Sequence, residues 1–125
     1  MQSPIELIDA TERPSLWPKD ARAGAGYPAP GPPAYDEILR CTHCGMCLNQ
    51  CPTYRVLRIE ADSPRGRLYQ MRAVHEGRAE VTVDFAEHMF VCLACRACET
   101  ACPATVRFGG LVEQARAQVE AVNAA

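Results

Sequence analysis

CTHCGMCLNQCP at residues 41–52 is repeated in form by CLACRACETACP at residues 92–103. Both stretches have the spacing CxxCxxCxxxCP, which is typical of cysteines that bind [4Fe-4S] clusters. One such run could arise by chance, but two runs with both prolines in register indicate a pair of cluster-binding sites. All eight cysteines of the chain belong to these runs, Cys41, Cys44, Cys47 and Cys51 in the first and Cys92, Cys95, Cys98 and Cys102 in the second. The pattern therefore predicts two [4Fe-4S] clusters and a role in electron transfer.

The fourth cysteine of each run is expected to bind the other run's cluster. The first three cysteines are close enough in sequence for one loop to wrap around a cluster, whereas the fourth is carried away by the start of a helical turn. We assign Cys41, Cys44, Cys47 and Cys102 to cluster A, and Cys92, Cys95, Cys98 and Cys51 to cluster B. Such an exchange would tie the two halves of the domain together.

Zinc and disulfide bonds are the two other common uses of paired cysteines. Structural zinc sites combine CxxC pairs into sets of four ligands, and a third cysteine at the same interval followed by Cys-Pro is not typical of them. Disulfides need an oxidising compartment, and residues 1–33 lack the apolar run of a signal peptide. We therefore expect a cytoplasmic protein that reaches the inner face of the membrane only through partners, because no stretch approaches the ~18 apolar residues of a spanning helix.

The composition of the 125-residue chain excludes several functions. Its formal net charge is −2 and it has no basic block, which argues against a nucleic-acid partner. No motif for a catalytic triad of serine, histidine and acid, no phosphate-binding glycine loop and no dinucleotide motif is present, so we expect the chain to have no catalytic residues of its own.

Aromatic residues make up only 6% of the chain. Because so few large side chains give a thin core, the clusters are expected to supply much of the cohesion.

The chain is expected to have two parts, an arm at residues 1–33 and a cluster-binding domain at residues 34–125. The arm contains seven of the ten prolines, so it is expected to be extended or disordered. Alternatively, its apolar side chains, including Trp17, dock on another subunit.

The domain should be mainly α-helical, with only a brief strand-like signal at residues 81–83. Ser63 as N-cap and Pro64 as the first helical residue predict a helix that ends at Gly77. The other predicted helices cover residues 34–40, residues 85–91 after a capping pair of Asp84 and Glu87, and the segment after Gly109 and Gly110.

Other residues near the cysteines have more than one interpretation. Gly45 is expected to let the backbone approach a sulfur, with Ala97 in the matching place of the second run. Arg65 and Arg67 either belong to an ordinary polar helix face or place positive charge close to the anionic clusters.

Three longer segments resemble one known family. They are CTHCGMCLNQCPTYR, EADSPRGRLYQMRAVHEGR and CLACRACETACPATVRFGGLVEQAR, within about residues 37–116. They resemble the N-terminal cluster-binding region of glycolate oxidase iron–sulfur subunits, which are related to heterodisulfide reductase subunits. The resemblance implies an α-helical ferredoxin fold with two [4Fe-4S] clusters. It also implies an electron-transfer subunit of an oxidoreductase, which takes electrons from a flavoprotein that oxidises a 2-hydroxy acid such as glycolate or lactate.

The downstream acceptor is less defined by this resemblance. Members of the family continue into CCG repeats, whereas no cysteine follows Cys102 here. The acceptor is therefore expected to be a quinone-linked subunit or a CCG-domain partner on a separate chain. The alternatives are an electron-carrying subunit of a heterodisulfide-reductase-like complex and a freely diffusing dicluster ferredoxin.

Overall fold

The computed structural model describes residues 26–124, and this part of the chain is helical. The α-helices are α1 (Tyr35–Ile38), α2 (Pro52–Leu57), α3 (Pro64–His75), α4 (Val83–Val91), α5 (Ala97–Ala101) and α6 (Phe108–Ala124), and the 3₁₀ segments are Leu48–Gln50 and Glu60–Asp62. No strand occurs within residues 26–124, so the predicted mainly α fold is confirmed and the strand-like signal at residues 81–83 is wrong. Within the same residues, no helix combines the length and apolar character needed to cross a bilayer.

Helix α3 begins and ends as predicted. The Ser63 Oγ accepts a hydrogen bond of 2.9 Å from the backbone N–H of Gly66, and Pro64 is the first helical residue. Gly77 has a φ of +73° and its N–H donates to the carbonyl of Val74, which closes the last turn. These signals depend only on residues next to the helix ends, which is why both ends of the helix could be predicted from the sequence.

The start of α4 differs from the prediction. Its N-cap is Thr82, whose Oγ1 accepts from the N–H of Phe85 at 3.3 Å, so the capping pair of Asp84 and Glu87 is wrong. Asp84 lies instead in the first helical turn, where its negative charge is favourable toward the helix dipole. Val83 is therefore the first helical residue rather than part of a strand.

Two further differences concern helices next to prolines and glycines. Helix α6 begins at Phe108 and includes Gly109 and Gly110, so the glycines do not precede it as predicted. Helix α2 was not predicted, although Pro52 occupies its first turn, a position that suits the fixed φ of proline. Arg58, with a φ of +57°, ends it.

Helices α3, α4 and α6 enclose the hydrophobic core. Their fully buried side chains include Met71 and Val74 of α3, Met89 of α4 and Val112 of α6, each with 0% exposure. Four of the cysteines pack against this core, and Cys98 belongs to it: the four are Cys41, Cys47, Cys92 and Cys102. The cluster-binding region is therefore continuous with the core of the domain.

Residues 26–33 pack onto α3 and α6. The Tyr27 hydroxyl donates to the carbonyl of Met71 at 2.9 Å, and the Gln118 side chain makes paired hydrogen bonds with the backbone of Ala29 at 3.0 and 2.9 Å. These residues fall within the segment that its proline content assigned to the arm, and residues 1–25, with Trp17, lie outside the described residues. We therefore propose that the packed unit includes residues 26–33 as well as the domain predicted from residue 34 onward.

A buried carboxylate holds α1 against the end of α3. Glu76 is 4% exposed and accepts hydrogen bonds from the Tyr35 hydroxyl at 2.6 Å, Arg72 Nε at 2.9 Å and Arg78 Nη2 at 2.6 Å. Burial raises the pKa of this carboxyl, but the hydrogen bonds outweigh it and lower the pKa to about 2. Because α1 ends just before Cys41, the hydrogen bonds of Glu76 also position the start of the first cysteine run.

Candidate iron–sulfur site

The cysteines meet in two cavities. One cavity is lined by Cys41, Cys44, Cys47 and Cys102, the group assigned to cluster A, together with Cys98. The other is lined by Cys51, Cys92, Cys95 and Cys98, the group assigned to cluster B. Each cavity thus combines three cysteines of one run with the fourth cysteine of the other. The structure brings the predicted groups together, and ligation of a cluster by each group stays a prediction.

Three residues form a shared wall between the cavities. Pro64, Cys98 and Phe108 line both of them, so the first turn of α3 lies between the two sets of sulfurs. The apolar side chains of Leu68 and Val106 complete the first cavity. Soft thiolates in an apolar setting suit iron–sulfur clusters. Within residues 26–124, no three cysteine, histidine or acidic side chains are close enough together to hold a single metal ion.

The two cysteine loops share one backbone conformation. In the first, His43 and Gly45 have φ values of +61° and +82°, and in the second Ala94 and Arg96 have +57° and +62°. Gly45 therefore corresponds to Arg96, and the match with Ala97 is wrong because Ala97 already begins α5. Left-handed backbone costs a non-glycine residue about 1–2 kcal/mol. The same strained geometry thus recurs where three sulfurs must converge.

Backbone N–H groups of these loops point at cysteine sulfurs. The N–H of Ala94 donates to Cys92 Sγ at 3.4 Å. In the first loop the N–H of His43 makes the corresponding hydrogen bond to Cys41. Such bonds stabilise negative charge on the sulfur, which is the state that binds metal.

The fourth cysteines also adopt matching conformations. Cys51 has φ and ψ of −86° and 116°, and Cys102 has −78° and 115°. A helical turn precedes each of them, the 3₁₀ segment Leu48–Gln50 in the first run and α5, which contains Cys98, in the second. The turn expected from the spacing is therefore present in both runs.

The thiols differ in acidity. Burial raises the pKa of the thiols of Cys41 and Cys47 and, with the nearby Cys47, raises that of Cys98 to about 12. Burial also acts on Cys51, but hydrogen bonds with the Thr53 hydroxyl, the Tyr54 backbone and the Arg67 guanidinium outweigh it and lower the pKa of the Cys51 thiol. Because metals bind the thiolate form, binding of a cluster to the thiols with raised pKa values must release protons.

Arg65 and Arg67 each line a different cavity, so they do not form one polar helix face. Arg65, in the first cavity, pairs with Glu60 at 2.5 Å and donates to the carbonyl of His43 at 3.1 Å. Arg67, in the second cavity, is 1% exposed and lies 3.9 Å from Cys51 Sγ. The second interpretation, positive charge close to the cysteines, agrees with this placement.

Two further residues around Cys51 were missed from the sequence. The Thr53 hydroxyl is 3.1 Å from Cys51 Sγ and donates to the carbonyl of Asp62 at 2.8 Å. The available signal was the residue after Cys-Pro, which is Thr53 in the first run and Ala104 in the second. No local signal marks Asp62, because its role depends on the fold of the 3₁₀ segment.

Comparisons with known proteins agree with this geometry. A model of the 4Fe-4S dicluster domain matches residues 37–106. The chain is 51% identical over 86 residues to the glycolate oxidase iron-sulfur subunit of Escherichia coli (strain K12), which covers 68% of this chain and 21% of that protein. It is 47% identical over 81 residues to the probable glycolate oxidase iron-sulfur subunit of Bacillus subtilis (strain 168), covering 64% and 18%.

A third relative is more distant, at 30% identity over 80 residues. It is an uncharacterized electron transport protein of Escherichia coli (strain K12), and the match covers 62% of this chain and 16% of that protein. The chain therefore spans about a fifth of the length of the curated relatives it matches. No solved structure matches the chain.

Proposed function

Because the chain belongs to the 4Fe-4S dicluster domain family, we propose that it is the electron-transfer part of a 2-hydroxyacid dehydrogenase of the glycolate or lactate type. Its cofactors are two [4Fe-4S] clusters. Electrons would come from a flavoprotein dehydrogenase subunit and leave to a quinone-linked or CCG-domain acceptor. The identity to two glycolate oxidase iron–sulfur subunits supports this choice of partner.

The observation that carries the proposal is the interleaving of the two cysteine runs. In this proposal, cluster A is bound by Cys41, Cys44, Cys47 and Cys102, and cluster B by Cys92, Cys95, Cys98 and Cys51. Each cavity contains the thiols of one such group. Cysteine spacing alone would also allow each run to serve one cluster, so the shared cavities support the exchanged arrangement.

The chain's own residues hold, separate and shield the two sites. Each [4Fe-4S] cluster supplies reversible one-electron chemistry, so two of them allow a two-electron oxidation at a flavin to be passed on in single steps. Cys98 borders both cavities, which supports a short path between them. The apolar side chains of Pro64 and Phe108, which line both cavities, would exclude water from the region between them.

Exposed apolar side chains at both cysteine loops support docking of partners. Met46 in the first loop is 59% exposed and Leu93 in the second is 67% exposed. An electron would enter beside one loop and leave beside the other. The chain would act in the cytoplasm and reach the inner face of the membrane through these partners. A freely diffusing ferredoxin would use the same loops only transiently.

The proposal is tested by anaerobic co-purification of the tagged chain from its native host. We expect a complex that contains flavin, together with about eight iron atoms and eight acid-labile sulfides per chain. Addition of glycolate, or of D- or L-lactate, should then bleach the visible absorption of the clusters. The substrate that bleaches fastest identifies the dehydrogenase.

Two results would contradict the proposal. A chain that elutes alone and is reduced by none of the three acids would favour the diffusing ferredoxin. Stoichiometric zinc without acid-labile sulfide would remove electron transfer altogether.

A further inference from the structure

Arg67 is a buried cation held at the second cavity by four neighbours. Its side chain is 1% exposed, whereas arginine is rarely buried fully unless it is paired. Its Nε donates to the carbonyl of His88 at 2.7 Å, and Nη2 donates to Thr53 Oγ1 at 3.1 Å. Nη1 lies 3.9 Å from Cys51 Sγ, and Nη2 lies 3.8 Å from the Asp62 carboxylate. The guanidinium is therefore fixed in one orientation.

The positive charge of Arg67 is only partly neutralised. Asp62 is its ionic neighbour, but the same Oδ1 is 2.7 Å from Nδ1 of His88, which shares the carboxylate. The Asp62 contact with Arg67 is longer, at 3.8 Å. A guanidinium keeps its charge at any ordinary pH. The second cavity thus retains a permanent positive charge beside one of its sulfurs.

The first cavity lacks an equivalent charge among the residues that line it. Its arginine is Arg65, whose side chain is 29% exposed and forms an ion pair with Glu60 through two nitrogens, at 2.5 and 3.2 Å. Solvent and the adjacent carboxylate therefore screen its charge. The two sites have matching loops and cysteines but differ in buried charge.

A buried cation favours the addition of negative charge nearby, because charge interactions are stronger where water is excluded. We propose that Arg67 is a positioning residue that raises the reduction potential of the cluster at Cys51 and leaves the other cluster largely unaffected. This inference rests on the ligand groups given under the proposed function. It makes the two otherwise similar sites electronically different, and so biases where an electron resides.

The test is an anaerobic redox titration of the full chain, followed by EPR. In Arg67→Gln, the ratio of reduced to oxidised cluster at a fixed solution potential should fall about tenfold for one cluster, a shift of about 59 mV for one electron. The other cluster should stay within about twofold. Asp62→Asn removes the opposing charge with little change of shape, so the same cluster should become easier to reduce.

Two controls separate charge from structure. Arg67→Lys keeps the charge and should stay within about threefold of the original ratio. Arg55→Gln removes an exposed arginine of α2 that lines neither cavity, and should change neither cluster.

The outcomes distinguish this inference from the proposed function. If the unmodified chain lacks two clusters, the ligand proposal fails before any variant is compared. If it has two, unchanged potentials in Arg67→Gln, equal shifts of both clusters, or shifts of the same sign in Arg67→Gln and Asp62→Asn overturn the role of Arg67. Should Arg67→Gln not assemble, Asp62→Asn decides, and the absence of a rise at one cluster overturns it.

Discussion

Gly66 lies where α3 meets the 3₁₀ segment Glu60–Asp62, and the contact leaves no room for a side chain. A Cβ at this position would lie 1.8 Å from the carbonyl oxygen of Glu60 and 2.6 Å from its carbonyl carbon. Both are backbone atoms, so the segment itself must move. Overpacking of this kind costs about 3 kcal/mol. We therefore expect Gly66→Ala to lower the apparent melting midpoint of the holoprotein by about 12–24 °C, at 4–8 °C per kcal/mol.

The displaced segment also supports the second cavity. The carbonyl of Asp62 accepts from Thr53, which is next to Cys51 Sγ, so Gly66→Ala should lose iron faster on heating. Gly110→Ala is the matched control, because a Cβ there meets nothing within 4 Å. Since alanine favours a helix over glycine by ~0.5–1 kcal/mol, this variant should melt a few degrees higher.

The assay is circular dichroism at 222 nm under anaerobic conditions, with equal iron loading and one heating rate for all samples. Visible absorption followed in the same cuvette reports cluster loss. A Gly66→Ala protein that melts within about 3 °C of the original chain would refute the packing of α3 against the 3₁₀ segment. A large loss in Gly110→Ala would likewise contradict the open space at that position.

Three other predictions concern the anchors of the fold. Glu76→Gln should destabilise the domain by about 2 kcal/mol, and equally between about pH 6 and 8, because a pKa lowered to about 2 confers stability that is complete above about 4.5 and lost only as the pH falls through about 2. As a control, Glu80→Gln replaces an exposed carboxylate and should leave the melting midpoint unchanged. Equal melting midpoints for the two variants would refute the role of Glu76 as an anchor. Deleting residues 1–33 should lower the melting midpoint, because it removes the contacts of residues 26–33, while deleting residues 1–25 should keep them, and identical melting would contradict this. Removal of iron by a chelator should abolish most helical signal, and full helicity in the iron-free chain would show that packing alone sustains the fold.

Helices with local signals were predictable from the sequence, and those chosen by packing were not. Ser63 and Pro64 mark the start of α3 whatever surrounds them. Before α4, both Thr82 and Asp84 are competent N-caps, and the choice depends on burying Phe85 and Met89 in the core. Sequence order alone does not contain that information.

The site shows the same division. The spacing led us to expect the exchanged grouping of cysteines without excluding one cluster for each run, and the structure brings the thiols of the exchanged groups together. The burial of Arg67 and the partial exposure of Arg65 could not be predicted from the sequence. Residues two apart on a helix point in different directions, and the sequence does not show which direction faces the core. Only the packing of the Glu60–Asp62 segment and α4 decides that Arg67 is buried and Arg65 is not.

The exchange of the fourth cysteine between the runs is tested most directly by iron content in two double variants. Cys51→Ala with Cys95→Ala removes two ligands of one proposed cluster, so anaerobically reconstituted protein should keep about four iron atoms and one EPR signal. Cys51→Ala with Cys44→Ala removes one ligand from each cluster and should keep almost no iron. The reverse result, with iron retained only when Cys51 and Cys44 are replaced together, would show that each run binds its own cluster.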